Sequence, residues 1–382
     1  MHPMPMLGAR DAAAKPLVAP ADARVLLRGA EGLDGVADAW KRLEPRTVIP
    51  MAHHAWTKSF ASTLELEHRM HVFAASTSAG GVAVAGLARR DGFLAPLELP
   101  GADELGEPMD FAYDDSLALE ELCRAIARTP WPLEVPRLPA DSPTVGALAR
   151  AYAGRGVVVQ RPARPYPFVP LDPSWVEPEA HLTPRRRSDL RRARRHAERM
   201  GALSCAIVAP SPDEVGPLLD EAFRVEASGW KGRACTALAL DTAIGSFFRK
   251  YAAEAAGRGL LRVGLLRIGD RAAAMQLAVQ HGDRYWLLKI GYDEAFAPAS
   301  PGLLLLCESL RRAAADGLTS YEFLGGIAPW IKPWTPHERA CVAVSAYPWS
   351  AQGLCALGSR ALGHAVRRIG RISSWKHDAS NR

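Results

Sequence analysis

The stretch YWLLKIGYDEAFAPASPGLLLLCESL, residues 285–310, holds the residue types best suited to binding chemistry. It reads as a strand that passes through a loop of small residues straight into a helix. Ser300 is a candidate N-cap, Pro301 suits the first helical position, and Gly302 lets a ligand approach the backbone. Free N–H groups at a helix N-terminus, together with the helix dipole, make an anion site, and a pyrophosphate is one suitable guest. Taken alone, Ser-Pro-Gly reads first as the ordinary start of a helix, and its neighbourhood is what favours the anion site. Lys289 falls mid-strand between apolar neighbours, where a charge is expected to line a cleft. Trp330, Lys332 and Trp334 form an aromatic–cationic cluster that could hold a sugar or peptide, or cap a core.

Other chemistries find less support. The cysteines at 123, 205, 235, 307, 341 and 355 include no CxxC pair and no His at metal-ligand spacing. They are expected to be reduced and mostly buried. His53 and His54 are adjacent, so their side chains diverge and a shared metal is not expected. The net charge of +6 is concentrated in TPRRRSDLRRARRHAERM, residues 183–200, where eight Arg face only Asp189 and Glu198. That places the basicity on one segment and argues against a nucleic-acid surface covering the molecule. Arg187, Arg191, Arg194 and Arg195 share one side of this helix, opposite Leu190, Ala193, Ala197 and Met200. They are either a solvated face or a dock for phosphate-rich ligands.

At 382 residues, 48% hydrophobic and 23% charged, the chain suits two soluble domains. No run approaches the roughly 18 apolar residues of a membrane span. The N-terminus lacks the apolar core of a secretory signal, so a cytoplasmic location is expected, with residues 1–20 as a disordered tail. Residues 21–165 read as a first α/β lobe, with helices near 33–43 and 56–60, strands at 71–75, 82–87, 93–99, 133–138 and 157–160, and a helix over 141–154. The segment RPARPYPFVPLDP, 161–173, carries too many prolines for a central strand and reads as the crossover to a second unit, 166–350. There, Thr183-Pro184 opens the arginine-rich helix, followed by a strand at 203–208 and helices over 212–228 and 241–257. Strands at 261–268, 273–280 and 284–290 are joined by hairpin turns; a helix over 301–315 and a strand at 320–324 follow. Residues 351–382 read as a basic helical tail.

Helices, an antiparallel meander, an anion loop, a helix and a returning strand form the layout of a GNAT acyltransferase core. The pieces RRRSDLRRARRHAE (185–198), VEASGWKGRACTAL (225–238), AAAMQLAVQHGDRYWLLKIGYDEAFAPASPGLLL (272–305) and YEFLGG…PWIKPW (321–334) resemble the acetyltransferase domain of FemAB-like proteins, in particular the CelD-like, cellulose-biosynthesis branch. The first lobe resembles the degenerate first half of that family. The resemblance implies an α/β (α+β) fold of tandem GNAT-like lobes, with mixed, mostly antiparallel sheets flanked by helices and an inter-lobe cleft for the acceptor. It implies acetyl-CoA or another acyl-CoA as co-substrate and no metal, with Ser300, Gly302 and Leu303 on the pyrophosphate. Strand 285–291 would supply an N–H to polarise the thioester carbonyl. The arginine-glycine-rich loop of small GNATs is replaced here by Ala299-Ser300-Pro301-Gly302.

Acyl transfer needs an acceptor stripped of a proton and a proton for the departing thiolate. Glu322 is a candidate base or acceptor-binding carboxylate. Glu226, with Trp230 and Lys231, resembles a family motif on the acceptor side. Lys289 is a further catalytic candidate, and Tyr292 or Tyr321 a candidate proton donor. Trp330, Lys332 and Trp334 are candidate acceptor contacts. The implied function is acyl transfer to a saccharide or amine in envelope or exopolysaccharide synthesis, within a possible polysaccharide synthase complex. The alternatives are an aminoacyl-tRNA-dependent peptidyl transferase, for which no heptad insertion is visible, and a non-catalytic adaptor.

Overall fold

A computed structural model describes residues 24–229, Leu238 and residues 242–362. The expected tail at 1–20, Trp230, Lys231 and the end of the basic tail beyond 362 lie outside the described residues; a helix does run from 351 to 362. The strands are β1 (Arg24–Arg28), β2 (Met70–Ser76), β3 (Val82–Arg89), β4 (Leu97–Glu98), β5 (Ala112–Tyr113), β6 (Leu133–Pro139) and β7 (Gly156–Pro170). They continue with β8 (Leu203–Val208), β9 (Leu261–Ile268), β10 (Arg271–His281), β11 (Arg284–Tyr292), β12 (Ser320–Glu322) and β13 (Glu338–Pro348). All join one sheet in the order β1-β2-β3-β4-β6-β13-β7-β12-β11-β10-β9-β8, with β5 beside β3. Pairing is antiparallel except at β4–β6 and β11–β12. The mixed, mostly antiparallel sheet flanked by helices is the expected fold class.

The proline-rich segment corrects an expectation. Instead of a crossover, residues 161–170 belong to β7, the central strand, which pairs with β13 on one edge and β12 on the other. Proline lacks an N–H but keeps its carbonyl. The ladder shifts register between Arg339 and Cys341, opposite Tyr166 and Ala163, which leaves Arg164 and Pro165 out of step. Their carbonyls accept from Arg137, Nε to Arg164 at 2.9 Å and Nη2 to Pro165 at 3.1 Å. A side chain thus satisfies what the ladder leaves open at this bulge.

The boundary expected near 165 does not coincide with the sheet. β13, from the end of the chain, inserts between β6 and β7 of the first half. One core cluster reaches across both halves: Trp56 and Phe60 of helix His54–Thr63 pack on Phe247 and Tyr251 of helix Thr242–Gly257, with Phe60 stacked on Phe247 at 3.7 Å. On the opposite face of β9–β11, helices Pro184–Met200 and Pro301–Ala315 bury a second cluster through Leu190, Ala193, Ala197, Leu305 and Leu310. Met200, expected on the apolar side of its helix, is exposed.

Candidate active site

The site begins where two strands part. β11 pairs with β12 only over Arg284–Trp286, opposite Ser320–Glu322, and β12 then ends. Beyond Trp286 the strands diverge, and the chain after β12 turns away through Leu324, whose φ is 62°. A cleft of about 590 Å³ occupies the gap. One wall is Ile290, Gly291 and Tyr292 of β11; another is Ser300–Leu303 at the start of helix Pro301–Ala315. Trp330 and Trp334 close it from the loop after β12, Arg186 and Asp189 reach it from the arginine-rich helix, and Glu226 lies at its far side.

A bulge in β11 sorts its side chains. The β10–β11 register shifts between Leu277 and Ala278, so Lys289 opposes Leu277 while Leu287 opposes Ala278. Leu277 belongs to the core cluster shared by the two halves. Lys289 therefore faces that side, with its ammonium 5.0 Å from the centre of the Phe248 ring, and it does not line the cleft. Gly291 allows the closest approach. A Cβ there would stand 2.8 Å from Cα of Glu226, so only glycine lets helix Pro212–Ala227 press its C-terminal turn onto β11. Glu226, 2% exposed, accepts the Leu238 N–H on Oε2 at 2.8 Å.

The helix start departs from the expected cap. Ser300 holds the N-cap position with φ 45° and ψ 53°, left-handed for a non-glycine residue, and its side chain makes no cap bond. The Leu303 and Leu304 N–H groups donate back to its carbonyl at 3.0 and 3.3 Å. Pro301 has no N–H, which leaves Gly302 as the first-turn donor facing the cleft. Its nearest outside neighbour would meet a Cβ only at 3.9 Å, at Tyr292.

Two side chains of the cleft wall each keep one polar atom without a hydrogen-bond partner among the described residues. Gln276, mid-strand in β10 and 2% exposed, reaches the Tyr321 hydroxyl, which bonds Ser309 Oγ at 2.9 Å, but its Oε1 has no donor. Trp334 Nε1, also buried, has no acceptor. Both atoms are closed off from solvent within the cleft wall, so the wall holds hydrogen-bonding capacity that the described residues do not use.

Of the residues picked out from sequence, the cleft gathers Glu226, Tyr292, Ser300, Gly302, Leu303, Trp330 and Trp334. Lys332 is exposed outside it. Glu322 is elsewhere and fully buried: Arg339 clamps its carboxylate, Nε to both oxygens at 3.0 Å and Nη2 to Oε1 at 2.7 Å, while Ser320 Oγ donates at 2.7 Å. That arrangement ties β12 to β13 and leaves the carboxylate no open side for a substrate. Tyr321 is fully buried, and burial drives its hydroxyl pKa well up, so it too is removed from proton transfer. Sequence reasoning missed Arg186, Asp189 and Gln276. Gln276 had a signal, as the one polar residue in the apolar run AAAMQLAV.

Residues 184–332 match the family model of an acetyltransferase (GNAT) domain. The matched stretch holds β8–β12 and nearly every residue of the cleft. The fold is similar to FemX, with a TM-score of 0.52 at 11% identity over 86% of this chain and 97% of that one. It is also similar to the C-terminal domain of a putative lysylphosphatidylglycerol synthetase from Agrobacterium fabrum, TM-score 0.51, 13% identity, 87% and 96% covered. A conserved protein from Bacteroides thetaiotaomicron gives TM-score 0.51 at 10% identity, 84% and 99% covered. At such identities the likeness concerns the fold alone, but it extends well beyond the matched stretch into the first half of the chain. No curated protein matches in sequence. Among the described residues no group of His, Cys, Asp or Glu is placed to hold a metal, and no helix is long and apolar enough to cross a membrane.

Proposed function

We propose that the protein is an acyl-CoA-dependent N- or O-acyltransferase, with acetyl-CoA as the first donor to test. The observation that carries this reading is the cleft between β11 and β12, most of it inside the stretch that matches the GNAT domain model, with a helix N-terminus at its side. In this reading Ser300, Gly302 and Leu303 receive the pyrophosphate, the Gly302 N–H directly. The β11 backbone polarises the thioester carbonyl, and Tyr292 returns a proton to sulfur. Arg186 and its exposed neighbours on the arginine-rich helix favour the remaining phosphate. Glu226 sits where an acceptor would arrive, with Trp330 at the mouth and Trp230 and Lys231 close in sequence.

The sequence resemblance to CelD-like proteins extends the reading to a saccharide or amine acceptor of envelope or exopolysaccharide synthesis, made in the cytoplasm beside a polysaccharide synthase. The decisive experiment is a thermal-shift series with acetyl-CoA, longer acyl-CoAs and transfer RNA. A ligand of the native state at 100 times its Kd adds about 2.7 kcal/mol. A shift with acyl-CoA supports the proposal. A shift with transfer RNA alone favours aminoacyl transfer, and no shift with any of them favours an adaptor.

A further inference from the structure

On the far side of β11 from the helix Pro301–Ala315, Arg137 stands 3.9 Å from Glu107, Arg164 Nη2 lies 3.9 Å from where a Cβ on the adjacent Gly106 would be, and the charge of Lys289 acts on the Glu107 carboxylate. Glu107 follows the short helix Ala102–Leu105, Arg137 lies on β6, Arg164 on the β7 bulge, and Lys289 on β11. Arg137 is 3.9 Å from Glu107 Oε2, yet its N–H groups are given to the carbonyls of Gly106, Arg164, Pro165 and Gly325. Its guanidinium also covers the Tyr166 ring at 5.5 Å. It is a fixed structural cation that does not satisfy the carboxylate. Glu107 is only 11% exposed, and its Oε2 has no hydrogen-bond partner among the described residues.

A buried, unsatisfied carboxylate oxygen costs stability and asks for a reason. Burial raises the Glu107 pKa above the usual carboxylate range, against the opposing fields of Lys289, Arg137 and Arg164. A raised pKa makes a carboxylate a stronger proton acceptor. Arg164 is exposed, makes no ion pair among the described residues, and lies against the Gly325–Gly326 backbone, where a Cβ on Gly326 would come within 3.2 Å of its Cδ. Lys289 immediately precedes Ile290 and Gly291, which line the cleft, so β11 is the shared wall of both places.

We propose that Glu107 and Arg164, beside Lys289, form the acceptor side of the site, and that the acceptor carries its amine or hydroxyl next to an anionic group. This rests on the acyltransferase reading. Glu107 takes the proton of the attacking N–H or O–H, and Arg164 holds the neighbouring phosphate or carboxylate. The new C–N or C–O bond forms as the thioester C–S bond breaks. The acceptor proton passes to Glu107, and the sulfur leaves as a thiolate that is then protonated.

The test uses matched pairs of amines: ethanolamine and phosphoethanolamine, glucosamine and glucosamine 6-phosphate, alaninamide and alanine. Calorimetric titration reads binding to the full chain, and release of CoA thiol from acetyl-CoA reads turnover. At least one anionic member should bind roughly 10-fold or more tighter than its neutral partner, and Arg164→Ala should erase the difference. Glu107→Gln should lower turnover by about 100-fold or more while acetyl-CoA affinity stays the same. Equal affinities within every pair, binding of none, or full turnover in Glu107→Gln would each overturn the assignment. Should Glu107→Gln fail to fold, Arg164→Ala changes only an exposed side chain and decides the matter by binding. Acetyl-CoA affinity is measured separately. A protein that selects the anionic amines but binds no acyl-CoA keeps this site and loses the acyltransferase reading.

Discussion

Replacing Gly302 by valine separates a donor site from an ordinary helix start. The new Cβ would meet nothing closer than Tyr292 Cδ1 at 3.9 Å, an ordinary contact. Valine is also a slightly better helix residue than glycine, by a few tenths of a kcal/mol. Folding stability should therefore change by less than about 1 kcal/mol. Binding should not escape so lightly. The branched side chain would stand over the one first-turn N–H that faces the cleft, and a hydrogen bond to a charged group contributes about 1.5–3 kcal/mol. At 1.36 kcal/mol per factor of ten, acetyl-CoA affinity should fall by roughly 10- to 150-fold. The assay is calorimetric titration of acetyl-CoA beside a melting curve of the same preparation. Gly291→Ala is the counterpart in the same cleft: its Cβ would collide with the Glu226 backbone at 2.8 Å, which no rotamer relieves. It should cost about 1–3 kcal/mol of stability. A folded Gly302→Val protein with unchanged affinity would remove the helix start from the donor site and refute the argument.

Three further outcomes follow from the structure. Glu322→Gln should destabilise the fold by about 3–5 kcal/mol, because it leaves Arg339 without its bidentate partner, and kcat of the surviving folded enzyme should hold; a stable variant with lost activity would restore Glu322 to the chemistry. Trp56→Ala should cost about 3–5 kcal/mol in a denaturant titration, since the indole is fully buried between the two halves; a loss under 1 kcal/mol would mean the halves do not depend on this contact. His53 and His281 meet edge-on at 4.4 Å at the same junction, and burial, above all, holds both below their usual pKa of 6.5. The unfolded chain then binds more protons than the folded one, so these groups' share of stability is full above pH 6.5 and falls as the pH drops toward the lowered folded values, by up to about 1.4 kcal/mol per pH unit for each. His53→Phe should flatten the slope of urea midpoints between pH 7 and 5 relative to the parent. The comparison must be differential because buried Asp110, raised to about 6, pulls the other way; an unchanged slope refutes the assignment.

The second half was legible because its signals are local. The hairpin turns at Gly269-Asp270 and His281-Gly282-Asp283 fix the β9–β11 meander, and Pro301 fixes the helix start to the residue. Those same signals located the cleft wall from Tyr292 to Leu303. What escaped notice depends on partners far away in the chain. The prolines of β7 looked incompatible with a central strand because their support comes from Arg137 on β6, and β13 was not anticipated because nothing near 338–348 announces that it fills the place between β6 and β7. On sequence alone Glu322 reads as a candidate base or acceptor-binding carboxylate, and Lys289 as a charge lining a cleft. Arg339 explains the first, 17 residues away, and a one-residue bulge turns the second to the opposite face. A carboxylate on a strand reads the same from sequence whether a distant arginine neutralises it or a substrate awaits it. Glu107 shows the converse: nothing in LGEPMD singles it out, and only Arg137, committed to four carbonyls, reveals that its oxygen has been left for something else.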